Sequence, residues 1–199
     1  MEISMKVIAA THNKGKLKEF NEILNKLGFE VISQKDSGID IEPEENGKTF
    51  AENSLIKARA IKELCEYAVL ADDSGLCVDA LDGAPGVYSA RYAGENATDA
   101  DRIAKLLCEL EGKYNRKAKF VSSIAFILPN GEEIVTEGEV HGTITNEASG
   151  EGGFGYDPVF LSDELGKTFG DATAEEKNSI SHRGRDLLKL YEILKEKEV

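Results

Sequence analysis

"MKVIAATHNKGKLKEFNEILNKLGFEVIS", Met5–Ser33, decides the fold class. Its apolar start, "MKVIAA" (Met5–Ala10), reads as a short buried strand, and a polar loop, "THNKGK" (Thr11–Lys16), follows. Leu17, Phe20, Leu24 and Leu27 then recur at the spacing that puts them on one face of a helix. Gly28 closes that helix, and "FEVIS" (Phe29–Ser33) starts a second strand. Strand, loop, helix, strand is the way an α/β domain opens.

Working outward, "DSGIDIEPEENGKTF" (Asp36–Phe50) is a polar loop rich in acids. Ala51, Leu55, Ala58, Ile61 and Leu64 then line one face of a long helix. "YAVLADDSGLCVDAL" (Tyr67–Leu81) reads as strand, acidic turn, strand, and "DGAPGVYSARYAGENA" (Asp82–Ala97) as irregular chain. Thr98 with Asp101 has the spacing of a helix cap ahead of Ile103, Leu106, Leu107 and Leu110. "AKFVSSIAFILPNGEEIVTEGEVHGTI" (Ala118–Ile144) gives two long strands joined by a Pro-Asn-Gly turn. The last helix is expected to begin near Ser181, with Leu187, Leu190, Tyr191 and Leu194 inward. The economical architecture is α/β: a mixed sheet flanked by helices and split by a cleft, one domain over residues 1–199.

The composition narrows the function. At 199 residues and 41% hydrophobic, the chain can bury a substantial core. Its 37 acidic against 24 basic residues give a net charge of −13, which argues against loose binding to nucleic acid or anionic membranes. A small basic pocket for one compact polyanion is still allowed. Cys65, Cys77 and Cys108 lack metal-ligand spacing and read as buried reduced thiols of a reducing compartment. "MEISMKVIAA" is too short and too charged for a signal peptide, and no apolar run approaches the ~20 residues of a membrane span. A cytoplasmic protein is expected.

The polar stretches carry the chemistry. "THNKGK" lies where a strand meets a helix start, a place that favours phosphate, and Lys14 and Lys16 add full charge. A capped helix with solvated lysines is the plain alternative. "ADDSG" (Ala71–Gly75) puts two carboxylates and a hydroxyl beside an apolar run. Such a pair is costly unless solvated or bound to a cation; Mg²⁺ suits it, with Glu44 and Glu45 available to complete the set. An ordinary acidic turn is the alternative. "EEKNSISHRGR" (Glu175–Arg185) gathers Lys177, His182, Arg183 and Arg185 at a helix start, with Ser181 as a simple N-cap in the plain reading. In "GEGGFGYDPVF" (Gly150–Phe160) four glycines crowd Phe154, which suits close approach of the backbone to a flat ligand. A core phenylalanine beside a glycine turn is the alternative. Two cationic stretches and one acidic pair together fit a nucleoside polyphosphate with Mg²⁺.

Five motifs in order then resemble one family, the inosine triphosphate pyrophosphatases, also called dITP/XTP diphosphatases. They are T-x-N-x-x-K at Thr11–Lys16, "ADDSGL" at Ala71–Leu76, "GAPGVYSARYAG" at Gly83–Gly94, "GGFGYDPVF" at Gly152–Phe160 and "EEKNSISHRG" at Glu175–Gly184. The resemblance covers nearly the whole chain. It implies an elongated α/β fold with two lobes around a central substrate cleft, a homodimer, and Mg²⁺-dependent hydrolysis of ITP, dITP and XTP to monophosphate and pyrophosphate. It assigns Thr11, His12, Asn13, Lys14, Gly15, Lys16 and Lys57 to the phosphates, with His12 replacing the glycine common after the threonine. It makes Asp73 general base and metal ligand, Glu44 second ligand, Asp72 their support and Ser74 a substrate contact. Phe154, Gly155, Tyr156, Asp157, Lys177, His182 and Arg183 fall to the nucleoside. Two rivals are a Maf-like nucleotide pyrophosphatase of other specificity and a non-catalytic nucleotide-binding regulator.

Overall fold

The computed structural model describes residues 5–197. Its strands are β1 (Met5–Ala9), β2 (Phe29–Ser33), β3 (Ala68–Val78), β4 (Lys117–Ile127), β5 (Glu133–Ile144) and β6 (Phe160–Ser162). Its helices are α1 (Lys14–Leu24), α2 (Phe50–Lys62), α3 (Asp99–Glu109), α4 (Ala174–Ile180) and α5 (His182–Glu196). The strands form one mixed sheet in the order β2-β1-β3-β4-β5-β6. β1 runs parallel to β2 and β3, and β5 antiparallel to β6. The expected opening is therefore observed, with Asn13 capping α1 through its side chain and Gly28 at positive φ after the helix.

The chain divides into two compact units. The first takes the chain through Asp73, Ser122–Gly138 and everything from Arg183 on; the second takes Ser74–Val121 and Glu139–His182. Period-two alternation builds the first unit on both faces of its strands. Val7, Ala9, Ala68 and Leu70 join Phe20, Leu24, Leu187, Leu190 and Leu194 from α1 and α5. Ile8, Ala10, Val69 and Ala71 face the opposite way, toward Ala58 and Ile61 of α2. The second unit has its own core, including Leu76, Leu106, Leu110, Phe120, Tyr156, Phe160 and Phe169.

Three local expectations are corrected; one is the burial of the cysteines, since Cys108 is exposed and Cys65 and Cys77 are only partly buried. Tyr67–Leu81 is not two strands around an acidic turn; β3 runs unbroken through Asp72 and Asp73. The carboxylates do not need a solvated turn because side chains of the folded protein satisfy them, as described below. The last helix, α5, begins beside Ser181 as expected, but a separate short helix precedes it: Thr173 and Glu176 form a capping box that starts α4, and Ser181 stands in extended conformation between α4 and α5. Leu64 falls beyond the end of α2 and is exposed.

Candidate active site

The alternation that builds the first core continues into the acidic pair. Asp72 follows Ala68 and Leu70 onto the α1/α5 face; Asp73 follows Val69 and Ala71 onto the α2 face. Neighbours in sequence thus enter different surroundings.

Asp72 is buried among cations. Lys16 Nζ lies 3.0 Å from Oδ1, and Arg183 Nε and Nη2 donate to Oδ2 at 3.1 and 3.0 Å. Arg183, 1% exposed, also donates through Nη1 to buried Glu19 of α1. Burial alone would push the Asp72 carboxyl up, but Arg183, Lys16 and Lys57 together hold it well below the usual carboxylate range. Lys16 moves the other way: burial lowers its pKa, Asp72 opposes, and nearby Lys57 and Arg183 lower it further.

Asp73 meets a different set. Asn53 Nδ2 donates to its Oδ2 at 3.0 Å, and Lys57 Nζ stands 3.9 Å from Oδ1. Lys57 also pairs with Glu45 at 3.0 Å and donates to the Asp72 carbonyl at 2.8 Å. Burial raises the Asp73 pKa; Lys57, Lys16 and the Asn53 hydrogen bond oppose this, and Glu45 adds to it. Two adjacent carboxylates with pKa values pushed apart are the arrangement in which one stays charged and the other exchanges a proton.

The loop before α1 is ordered by its own side chains. Asn13 Oδ1 accepts from the backbone N–H groups of Gly15 (2.9 Å) and Lys16 (3.1 Å), and Thr11 Oγ1 accepts from Asn13 N at 3.1 Å. Lys14 is exposed. His12 is exposed, and its ring faces Gln34 (3.2 Å) and the carbonyl of Ile41 (3.4 Å), at the start of the acidic loop. Of the two acids considered in that loop, Glu45 reaches Lys57 beside Asp73, whereas Glu44 is exposed.

In the second unit the glycine-rich loop is drawn around Asp157. Its Oδ2 accepts from Phe154 N (2.8 Å) and from Lys177 Nζ (2.6 Å). Gly153 has positive φ, and a Cβ there would collide with the Asp157 carboxylate, so this turn requires glycine. Gly155 N donates to Asp99 at the start of α3, at 2.8 Å. Phe154 is half-buried, with the Lys177 ammonium 4.9 Å from its ring centroid. Tyr156 is a core residue whose hydroxyl donates to the Ser89 carbonyl at 2.8 Å. His182 is buried and stacks on Phe120 at 4.9 Å. Ser74 is partly exposed in β3.

The predicted residues therefore gather in two sets. Lys16, Lys57, Asp72, Asp73 and Arg183 belong to the first unit. Phe154, Asp157, Lys177 and His182 belong to the second. Sequence reasoning missed Glu19 and Asn53. The signal for Glu19 was an acid beside Phe20, three residues after Lys16 on the apolar side of α1.

Hard oxygen donors at Asp73 and Glu45, already drawn to one ammonium, are a donor set that fits Mg²⁺, which takes few protein carboxylates alongside water and phosphate. Among the described residues no cluster of three or more His, Cys, Asp and Glu forms a closed metal cage. No helix among them is long and apolar enough to cross a membrane.

The Ham1 family model matches residues 7–193. The dITP/XTP pyrophosphatase of Clostridium perfringens is 48% identical over 198 residues, covering 96% of this chain and 97% of the relative. That of Desulforamulus reducens is 51% identical over 192 residues, covering 96% of each. Among solved structures, the Staphylococcus aureus Ham1 protein superposes with a TM-score of 0.86 at 41% identity, covering 96% of this chain and 99% of that one. With a match across almost the whole length in both sequence and fold, the chain belongs to the Ham1 family.

Proposed function

We propose that this protein hydrolyses deaminated purine nucleoside triphosphates (ITP, dITP and XTP) to the monophosphate and pyrophosphate. Relatives at about half identity are named dITP/XTP pyrophosphatases, which favours this reading over a Maf-like enzyme or a binding regulator. The observation that carries it is the split between Asp72 and Asp73: one carboxylate locked in its charged form, the next with a raised pKa. A binding protein needs no such base.

The phosphate end is assigned to Lys16, Lys57 and the Thr11–Lys16 loop. A triphosphate carries about four negative charges, so positioning and charge neutralisation dominate the barrier. Asp73 takes the proton of a water directed at the α-phosphorus; its raised pKa brings it closer to the working range of a general base. Pyrophosphate leaves in line, its charge met by the lysines. Arg183 is a positioning residue in this scheme: its guanidinium, committed to Asp72 and Glu19, fixes the strand that presents Asp73. Mg²⁺ would be held by Asp73 and Glu45, with Glu44 on the exposed side, and would supply charge neutralisation at the phosphate oxygens.

The base end is assigned to Phe154, which offers a ring face for a purine, with donors drawn from Lys177, His182 and the loop backbone. A donor facing position six pairs with the carbonyl of hypoxanthine or xanthine and meets another donor in adenine. Such mismatches discriminate by ~10⁴ in polar sites.

The test is a panel of ITP, XTP, ATP, GTP, dTTP and UTP with pyrophosphate and orthophosphate measured separately. The expected result is one pyrophosphate per ITP or XTP and little turnover of the others. Orthophosphate as the first product would refute cleavage at the α-phosphorus.

A further inference from the structure

α2 presents two side chains one helical turn apart, Asn53 and Lys57, and each connects the acidic loop to Asp73. Lys57 does so by charge, between Glu45 and Asp73. Asn53 does so by hydrogen bonds. It is 1% exposed, accepts from Gly47 N at Oδ1 (2.8 Å) and donates from Nδ2 to Asp73 Oδ2 (3.0 Å).

The direction of this link is chemically fixed. The Gly47 N–H can only donate, so the carboxamide oxygen must face it, and the amide nitrogen is then turned to Asp73. Gly47 itself is dictated by the same contact. A Cβ there would stand 2.6 Å from Asn53 Oδ1 and 2.7 Å from Glu52 Cβ, so only glycine lets the backbone come this close. The following N–H groups, of Lys48 and Thr49, are both taken by Glu52 Oε2. The end of the acidic loop is thus tied to the first turn of α2 at three successive residues, and Asn53 extends the tie to Asp73.

We propose that Asn53 is a positioning residue: its carboxamide sets the direction of the Asp73 carboxylate and couples it, through Gly47, to the acidic loop that carries Glu44 and Glu45. This rests on the reading of Asp73 as the base. Its counterpart is a purely structural role, in which a buried amide satisfies Gly47 and the orientation of Asp73 is incidental.

Three variants separate the two. Asn53→Leu removes both hydrogen bonds. Asn53→Asp retains an acceptor for Gly47 but, when ionised, has no donor for Asp73. Gly47→Ala displaces the carboxamide from the other side. With ITP, kcat is expected to fall by roughly 10²-fold in Asn53→Leu and Asn53→Asp, with KM within about threefold, as for a misdirected catalytic group. The double variant Gly47→Ala/Asn53→Leu should be no slower than Asn53→Leu alone, because both lesions act through one link. Hydrogen exchange at Gly47 gives a readout independent of turnover: the amide should be protected in the wild type and in Asn53→Asp, and open in Asn53→Leu. Unchanged kcat in the folded Asn53 variants, multiplying losses in the double variant, or a Gly47 amide unaffected by Asn53→Leu overturns the proposal. A wild type that releases no pyrophosphate from ITP overturns the functional reading and this inference together; active wild type with unaffected variants overturns this one alone.

Discussion

Each unit holds a tight lysine–aspartate pair, Lys16 with Asp72 in the first and Lys177 with Asp157 in the second, and these two pairs have different surroundings. Lys16 and Asp72, 3.0 Å apart, lie in a network of further charges: Arg183, Glu19 and the neighbouring Lys57. Lys177 and Asp157, 2.6 Å apart, lie among backbone and rings: Phe154 N on the carboxylate, the Phe154 and Phe169 faces near the ammonium. The first pair sets charge. Arg183 and Lys16 hold Asp72 ionised, while burial lowers the pKa of Lys16 against the pull of Asp72. The second sets shape, pulling a glycine-rich turn into the form that leaves Phe154 half-buried. In the function proposed above, the same chemical pair would serve a phosphate end in one unit and a base end in the other.

Removing the acid is the strongest way to break this comparison. Asp72→Ala leaves Lys16 and Arg183 buried with one carboxylate fewer, and breaking such a pair costs about 3–5 kcal/mol. In a chain of this length that lowers Tm by roughly 6–20 °C, measured by thermal unfolding. Asp73→Asn, one residue on, is expected to fold with Tm at or above that of the wild type, since burial already disfavours its charge. Its turnover of ITP should drop ~10²–10⁴-fold, the usual contribution of a general base. If Asp73→Asn keeps its turnover, Asp73 is not the base.

The second unit should respond more gently. Phe154→Ala removes only the stacking face, worth about 1–3 kcal/mol per base, so KM for ITP rises roughly 5- to 150-fold while Tm barely moves. Asp157→Ala should show the same KM rise and, in addition, a lower Tm, because Lys177 loses its buried partner. Equal Tm values for the two variants would mean that the pair does not hold the loop.

How much of this could be read from the sequence follows from what each feature depends on. The opening strand, loop and helix were legible because Leu17, Phe20 and Leu24 report their own burial by periodicity. The hairpin of β4 and β5 was legible from its Pro-Asn-Gly turn. The acidic pair was recognisable as chemistry but misplaced as a turn, since what keeps Asp72 in a strand is Arg183, more than a hundred residues away. Glu19 left a hint, an acid on the apolar side of α1, but its partner Arg183 is distant in sequence; Asn53 left none, because it matters through a distant partner and breaks no local pattern. α4 was legible in principle from Thr173 and Glu176, whose spacing is that of a capping box.

Another buried carboxylate provides the smallest and sharpest check on the rule that cations, not burial, keep Asp72 charged. Asp186 of α5 is fully buried, and Ser122 donates to its Oδ2 at 2.7 Å, while its Oδ1 and the Thr136 hydroxyl are buried without a hydrogen bond among the described residues. Burial pushes its pKa up to about 7; Thr136 and Ser122 oppose this, nearby Asp72 adds to it, and Lys189 lowers it slightly. The folded value therefore lies above the unfolded one, near 3.9. Its contribution to stability is complete below about pH 4 and is lost as pH rises through 7, because unfolding releases a proton in that window. Asp186→Asn keeps an acceptor for Ser122 and removes the titration. Relative to the wild type, its unfolding free energy should gain a further roughly 2–3 kcal/mol between pH 5 and pH 8, read as the change in the difference between the two proteins across that window. A difference that does not vary between pH 5 and 8 would show that burial without a cation does not shift this carboxyl, and the contrast with Asp72 would lose its cause.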